Sequence, residues 1–215
     1  MNINKHLILL FSVLFFLFAV SVSSGCFRKN ESDVKSVVRN ELDQLKNLDS
    51  ETTQKYIPYT ELFPDATENT DLTDEINETF SLFFRKFNYK ISDVIVGTAN
   101  HSATVSVKLT TIDSKVLARD FKAELLRTQI TESAQAQKGN IKDSSRSLEA
   151  HYLILNHLLN TNDYDTAETD CNIQLVNTGN DKKEKWKIQR TNSLEDDLVG
   201  GLIADLADPD ILSPE

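Results

Sequence analysis

Cysteine is nearly absent from this sequence: 215 residues hold two, Cys26 and Cys171. A framework of several disulfides is thereby excluded, so the fold has to rely chiefly on packing. Motifs that announce chemistry are missing as well. There is no Cys-x-x-Cys pair, no Gly-x-Gly-x-x-Gly or Walker loop, no nucleophile elbow and no His-Glu-x-x-His helix. Positive charge is scarce, with 23 Lys and Arg against 33 Asp and Glu and a formal net charge of −10. That balance argues against a nucleic-acid partner, since phosphate binding needs concentrated cations. It argues equally against adhesion to anionic lipid by overall charge alone.

The N-terminus holds the long apolar run. Lys5 and the amino group give a weakly positive start, Leu7 to Val22 (LILLFSVLFFLFAVSV) is almost wholly apolar, and Ser23, Ser24 and Gly25 precede Cys26. This order belongs to a secretory signal. The run spans 16 residues, short of the roughly 20 that cross a bilayer comfortably. The tetrad Ser23-Ser24-Gly25-Cys26 resembles the lipobox of bacterial lipoproteins. The resemblance implies a diacylglyceryl group on the Cys26 sulfur and cleavage directly before it. Two acyl chains suffice for stable attachment, so the expected address is the extracytoplasmic face of the cell membrane, reached through the N-terminal lipid. Secretion with Cys26 as a free thiol, or an uncleaved N-terminal anchor, are the alternatives. With a lipid on Cys26, Cys171 is a lone thiol; without one, a Cys26–Cys171 disulfide is chemically allowed outside the cell. Removing 25 residues leaves 190 with a formal charge of −11, a size that suits one domain.

Phe27 to Ser32 (FRKNES) reads as a polar tether. Val34, Val37, Val38, Leu42, Leu45 and Leu48 follow at helical spacing over 32–48, and Glu51 to Ile57 adds a turn or two before Pro58. Pro64 to Asp71 reads as a loop. The strongest amphipathic helix runs from about Asp71 to Phe87, with Leu72, Ile76, Phe80, Phe83, Phe84 and Phe87 on one broad face. Tyr89 to Val96 is β-prone, and its alternation changes phase near Ser92-Asp93, the mark of a bulge. After a turn at Gly97 to His101, Ala103, Val105, Val107 and Leu109 alternate with polar residues, as a half-buried strand does.

Asp113 to about Gln135 reads as a helix with Asp113 or Ser114 as its N-cap. A loop follows over Ala136 to Ser145. Ser147 to Asn160 is a further helix, striped by Leu148, Tyr152, Leu155 and Leu159. Cys171, Ile173 and Leu175 mark a third strand, Asn177 to Lys183 a turn, and Trp186 and Ile188 a fourth strand. Ser193 opens one last helix, with Asp196 in a near capping box. Gly200-Gly201 inside it marks a point of close packing, and Pro209 ends it. The fold class is therefore α+β: one curved antiparallel sheet of about four strands in two hairpins, helices on one face and solvent on the other. The division is a signal peptide over 1–25, a lipid-attached tether over 26–32, a single domain over 33–208 and a polar tail over 209–215.

Three stretches carry a wider likeness: Asn40–Asp49 (NELDQLKNLD), Phe83–Ile91 (FFRKFNYKI), and Leu194–Leu202 (LEDDLVGGL) with Leu212-Ser213-Pro214. Through them the chain resembles an uncharacterised group of small lipoproteins of Gram-positive bacteria. That resemblance implies a nuclear-transport-factor-2-like, or cystatin-like, domain, a cone of helices in a bent sheet. Residues 113–160 would be a helical insertion. No activity comes with this likeness, because the architecture hosts enzymes, binders and scaffolds alike.

The polar residues assemble no reaction centre by spacing. His151 and His157 lie about 240° apart on a helix, and His101 falls in a turn. Asp163, Asp165 and Asp170 are similar to a calcium loop, but Ala167 and Glu168 stand where a ligand and a glycine are needed. Asp93 and Asp120 pair with nothing by spacing. Catalysis, a metal and a cofactor are not expected. One expected function is a tethered binding module for a small apolar ligand or peptide, walled by Phe83, Phe87 and Trp186. The other is a protein-interaction or structural domain with a closed core.

Overall fold

Apolar residues at 103, 105, 107 and 109 turn one face of β2 (Ser102–Ile112) into the core, where all four are buried. β2 pairs antiparallel with β1 (Asn88–Val96) on one side and with β3 (Thr166–Asn177) on the other. The short β4 (Trp186–Ile188) adds antiparallel to β3, giving one sheet of order β1-β2-β3-β4. The computed structural model describes residues 30–56, 62–63, 73–97, 101–136, 147–179 and 184–213. The segment expected to be a signal, Cys26 and the start of the expected tether lie outside the described residues. So do 64–72, most of the loop expected over 136–145, and the centres of both hairpin turns.

Seven helices are described: α1 over 30–46, α2 (Ser50–Tyr56), α3 (Thr73–Phe84), α4 (Ser114–Ala136), α5 (Leu148–Thr161), α6 (Asn192–Leu198) and α7 (Leu202–Ala207). They share one core with the inner sheet face. Val38 and Leu42 of α1, Phe80 and Phe84 of α3, Leu117 and Phe121 of α4, and Tyr152 and Leu155 of α5 all join it. Each such side chain, fully buried, contributes roughly 1.5–3 kcal/mol. The outer face is polar and cross-linked between strands. Thr104 Oγ1 donates to Gln174 Oε1 at 2.9 Å, Ser106 Oγ to Asn172 Oδ1 at 2.8 Å, and Lys108 Nζ to Glu168 Oε2 at 3.1 Å. The sheet is thus half covered and half solvated, as the alternation implies.

The phase change in β1 is a bulge. Ile91 pairs with Val107 and Asp93 with Ser106, so Ser92 is the extra residue. It brings Val94 and Val96 to the same face as Tyr89 and Ile91, opposite Val105 and Ala103. Ser92 Oγ donates to Ser106 O at 3.0 Å and fastens the extra residue to its neighbour. Helix starts follow the sequence. Asp113 Oδ1 accepts from Val116 N at 3.3 Å and Ser147 Oγ from Ala150 N at 3.1 Å.

Two expectations need correction. Leu48 does not extend the apolar stripe of α1; it is 44 % exposed with φ +62°. Leu48 N bonds Leu45 O at 3.0 Å and Asp49 N bonds Gln44 O at 3.0 Å, a Schellman turn with leucine where glycine is usual. Asp49 is thereby placed to cap α2, its Oδ1 accepting from Thr52 N at 2.8 Å. The second correction concerns the C-terminal helix, which is two. Gly200 (φ +67°) and Gly201 (φ +91°) turn the chain between α6 and α7. Thr191, not Ser193, caps α6 by accepting from Leu194 N. Asp196 instead reaches across the turn, its Oδ1 accepting from Ala204 N at 3.1 Å. The turn lets α7 pack along α4, where Ser114 Oγ lies 2.5 Å from Gly200 O and 2.7 Å from Asp205 Oδ2.

Candidate functional site

Helix α1 carries two neighbouring stripes. Val34, Val38, Leu42 and Leu45 face the core. At 100° per residue, Lys35, Arg39 and Lys46 fall within about 40° of one another on the flank beside that stripe. The start of β1 runs alongside, and together they enclose an open recess of about 280 Å³, with Asn88, Tyr89 and Ile91 as its far wall. Its two halves are tied by side chains distant in sequence. Lys46 Nζ donates to Asn88 Oδ1 at 2.9 Å, and Tyr89 Oη donates to Asp43 Oδ1 at 2.6 Å.

The electrostatics of this recess run against the rest of the chain. Three cations and one carboxylate line it, in a protein with a formal charge of −10. Among the described residues, none of Lys35, Arg39 and Lys46 has a carboxylate within 4.0 Å. Asp43 is engaged by the Tyr89 hydroxyl. Burial first, then the bond to Asp43, pushes the Tyr89 phenol up to about 12, so it stays a donor at neutral pH. The recess offers ammonium and guanidinium donors on an open floor. It can hold an anion by charge and hydrogen bonds.

The aromatic residues expected to wall a pocket are placed differently from one another. Phe83 and Phe87 both meet Phe84 edge-on, with ring centroids at 5.4 and 5.3 Å. They are 2 % and 4 % exposed. Trp186 is also buried, but at another corner. Phe87 precedes Asn88, which pairs with Thr110 of β2, whereas Trp186 pairs with Asn177, whose N–H bonds His101 O. In sheet register the two stand about nine residues and three strand spacings apart, and the structure does not bring all three together.

The polar candidates have structural partners. His151 is buried, with Nδ1 2.8 Å from Ser147 O and its ring against Phe63 and Phe121. Asp120 Oδ2 accepts from Tyr164 Oη at 3.1 Å, and Asp93 Oδ1 from Val94 N at 2.9 Å. Asp163 pairs with Lys86 at 2.6 Å, while Asp165 gives its carbonyl to Asp113 N. No group of three His, Cys, Asp or Glu among the described residues could hold a metal ion. Nor is any described helix long and apolar enough to cross a membrane.

The α1–β1 recess escaped the reading of the sequence. Its signal was there, three cations at i, i+4 and i+11, but the overall acidity masked it. Its other wall lies more than forty residues along the chain. Fold and site together define an α+β domain with an open antiparallel sheet and a basic surface recess. No protein-family model matches this chain, and no curated protein and no solved structure matches it either.

Proposed function

We propose that this chain is an exported lipoprotein, held on the extracytoplasmic face of a bacterial membrane by a lipid on Cys26. In this reading its domain is a non-catalytic binding module. Binding takes place on its surface, in the α1–β1 recess, instead of among the aromatic side chains of its interior. The observation that carries the proposal is the location of the recess. Cys26 lies nine residues before Lys35, the first of the three cations of the recess, and α1 carries all three. A site so close to an anchor is presented at the membrane surface. The buried contacts of Phe83 and Phe87, and the distant corner taken by Trp186, favour the surface over an apolar cavity.

The test is the intact mass of the protein expressed from its full gene in a lipoprotein-processing bacterium, beside Cys26→Ala. The expected result is a diacylglyceryl-sized addition on the wild type and release of the variant from the membrane fraction. An unmodified, secreted wild-type protein would refute the anchor.

A further inference from the structure

We propose that the α1–β1 recess seats phosphate groups of anionic lipids in the membrane that holds Cys26, so that the domain rests with α1 against its own bilayer. The inference builds on the tethered reading above and names the ligand of that site.

Reach comes first. Four extended residues from Cys26 to Asn30 span at most about 14 Å. Along α1, Lys35 is then about 8 Å and Arg39 about 14 Å beyond Asn30. Both reach the headgroup layer when the helix lies along the bilayer, and Lys46 joins them there.

Charge supplies the orientation. Residues 27–46 carry five cations (Arg28, Lys29, Lys35, Arg39, Lys46) and four carboxylates, a net of +1. Residues 47–215 carry 17 cations and 29 carboxylates, a net of −12. An anionic surface acts over a Debye length of about 8–10 Å, attracting the near cations and repelling the rest of the domain. The acidity that argues against adhesion by the chain as a whole thus turns the recess toward the lipid.

The donor set fits the ligand. Arg39 presents a planar fork that matches phosphate oxygens, and Lys35 and Lys46 add point charges. Asp43, the one carboxylate in the recess, is already bonded to Tyr89.

The experiment attaches the mature chain (residues 26–215) through the Cys26 thiol to a maleimide lipid in vesicles; buried Cys171 is out of reach of the coupling. This fixes the tether whether or not the cell adds a lipid, so failure of the recess is separate from failure of the anchor, which the intact mass reports. Lysine acylation rates are read by mass spectrometry on phosphatidylcholine vesicles with and without phosphatidylglycerol. With phosphatidylglycerol, Lys35 and Lys46 should react about fivefold more slowly, as expected for basic groups held at an anionic surface. Lys185 and Lys187 should be unchanged. Arg39→Gln should weaken the protection most, and Arg39→Lys, which keeps the charge but not the fork, should weaken it less. Equal rates on both vesicles, or equal slowing at Lys185 and Lys187, would overturn the proposal. Equal protection by inorganic phosphate over phosphatidylcholine would overturn it too, by assigning the recess to a free anion.

Discussion

Gly200 lies so close to Thr111 that a β-carbon at position 200 would stand 2.2 Å from Thr111 Oγ1. Thr111 is 1 % exposed and its hydroxyl donates to Ile112 O at 3.1 Å, so it has little room to yield. Gly200 also has φ +67°, a conformation that costs any other residue strain. At Gly201 the strain is present, with φ +91°, but the nearest atom is an ordinary 3.6 Å away. Gly200→Ala should therefore lower stability by roughly 2–3 kcal/mol and Gly201→Ala by about 1 kcal/mol. Urea midpoints at unchanged m-value measure both. Equal losses would mean that the α6–α7 turn moves away from β2 at no cost.

Ser92, the extra residue of the bulge, makes a different kind of prediction. Deleting it would leave Ile91 and Asp93 adjacent, and the period of two would then keep Val94 and Val96 on the core face with their partners in β2 unchanged. Val96 is 9 % exposed and Val94 is half-buried, and both burials survive, so the expected loss is only about 1 kcal/mol, from the bond to Ser106 O. Ser92→Ala keeps the count and removes only the bond to Ser106 O, a loss of about 1 kcal/mol. The two urea midpoints should lie close together. A deletion variant far less stable than the alanine variant would show that the bulge itself shapes β1 against the core.

The bulge also marks how far this fold could be read in advance. Ile91, Val94 and Val96 announce it because a strand's period is fixed, and any break in alternation needs an extra residue. The same logic exposed all four strands and the starts of α4 and α5. It failed at Leu48 and at Gly200-Gly201. There the decision rests on backbone turns and on neighbours such as Thr111, almost ninety residues away. The recess failed for a related reason. Lys35, Arg39 and Lys46 are visible on a helical wheel, but their opposite wall is set by how β1 lies on α1.

Cys171 should behave as an inert thiol. It is 2 % exposed, and burial, followed by the neighbouring Asp197 carboxylate, pushes it up to about 12. An unfolded chain releases this proton near pH 9, whereas the native state keeps it until about 12. The unfolded state therefore binds fewer protons across that interval, and stability falls as pH rises through it. Tyr89 and Tyr164, each raised to about 12 chiefly by burial, act in the same direction. Urea midpoints should decline between pH 9 and 12, and Cys171→Ala should flatten the decline. In the Cys26→Ala protein, an aromatic disulfide reagent should modify Cys171 only as fast as the protein unfolds. Rapid reaction of the native protein would contradict the burial.

Arg190 and Glu195 form an unequal ion pair. Arg190 Nε and Nη2 both donate to Glu195 Oε1, at 2.9 and 2.5 Å. The Glu195 side chain is only 6 % exposed while that of Arg190 is 44 % exposed. Removing the arginine strands a charge in the interior; neutralising the glutamate leaves a guanidinium that water can still reach. Arg190→Ala should cost roughly 2–4 kcal/mol. Glu195→Gln should cost only about 1 kcal/mol, since the amide oxygen still accepts from the guanidinium. Combining Arg190→Ala with Glu195→Leu should recover most of the loss, because the buried charge is then gone. Thermal and urea unfolding of the three variants decide the order. If Glu195→Gln proved the more damaging change, the carboxylate would have to be favourable in itself, and the pair would not be the reason it is tolerated.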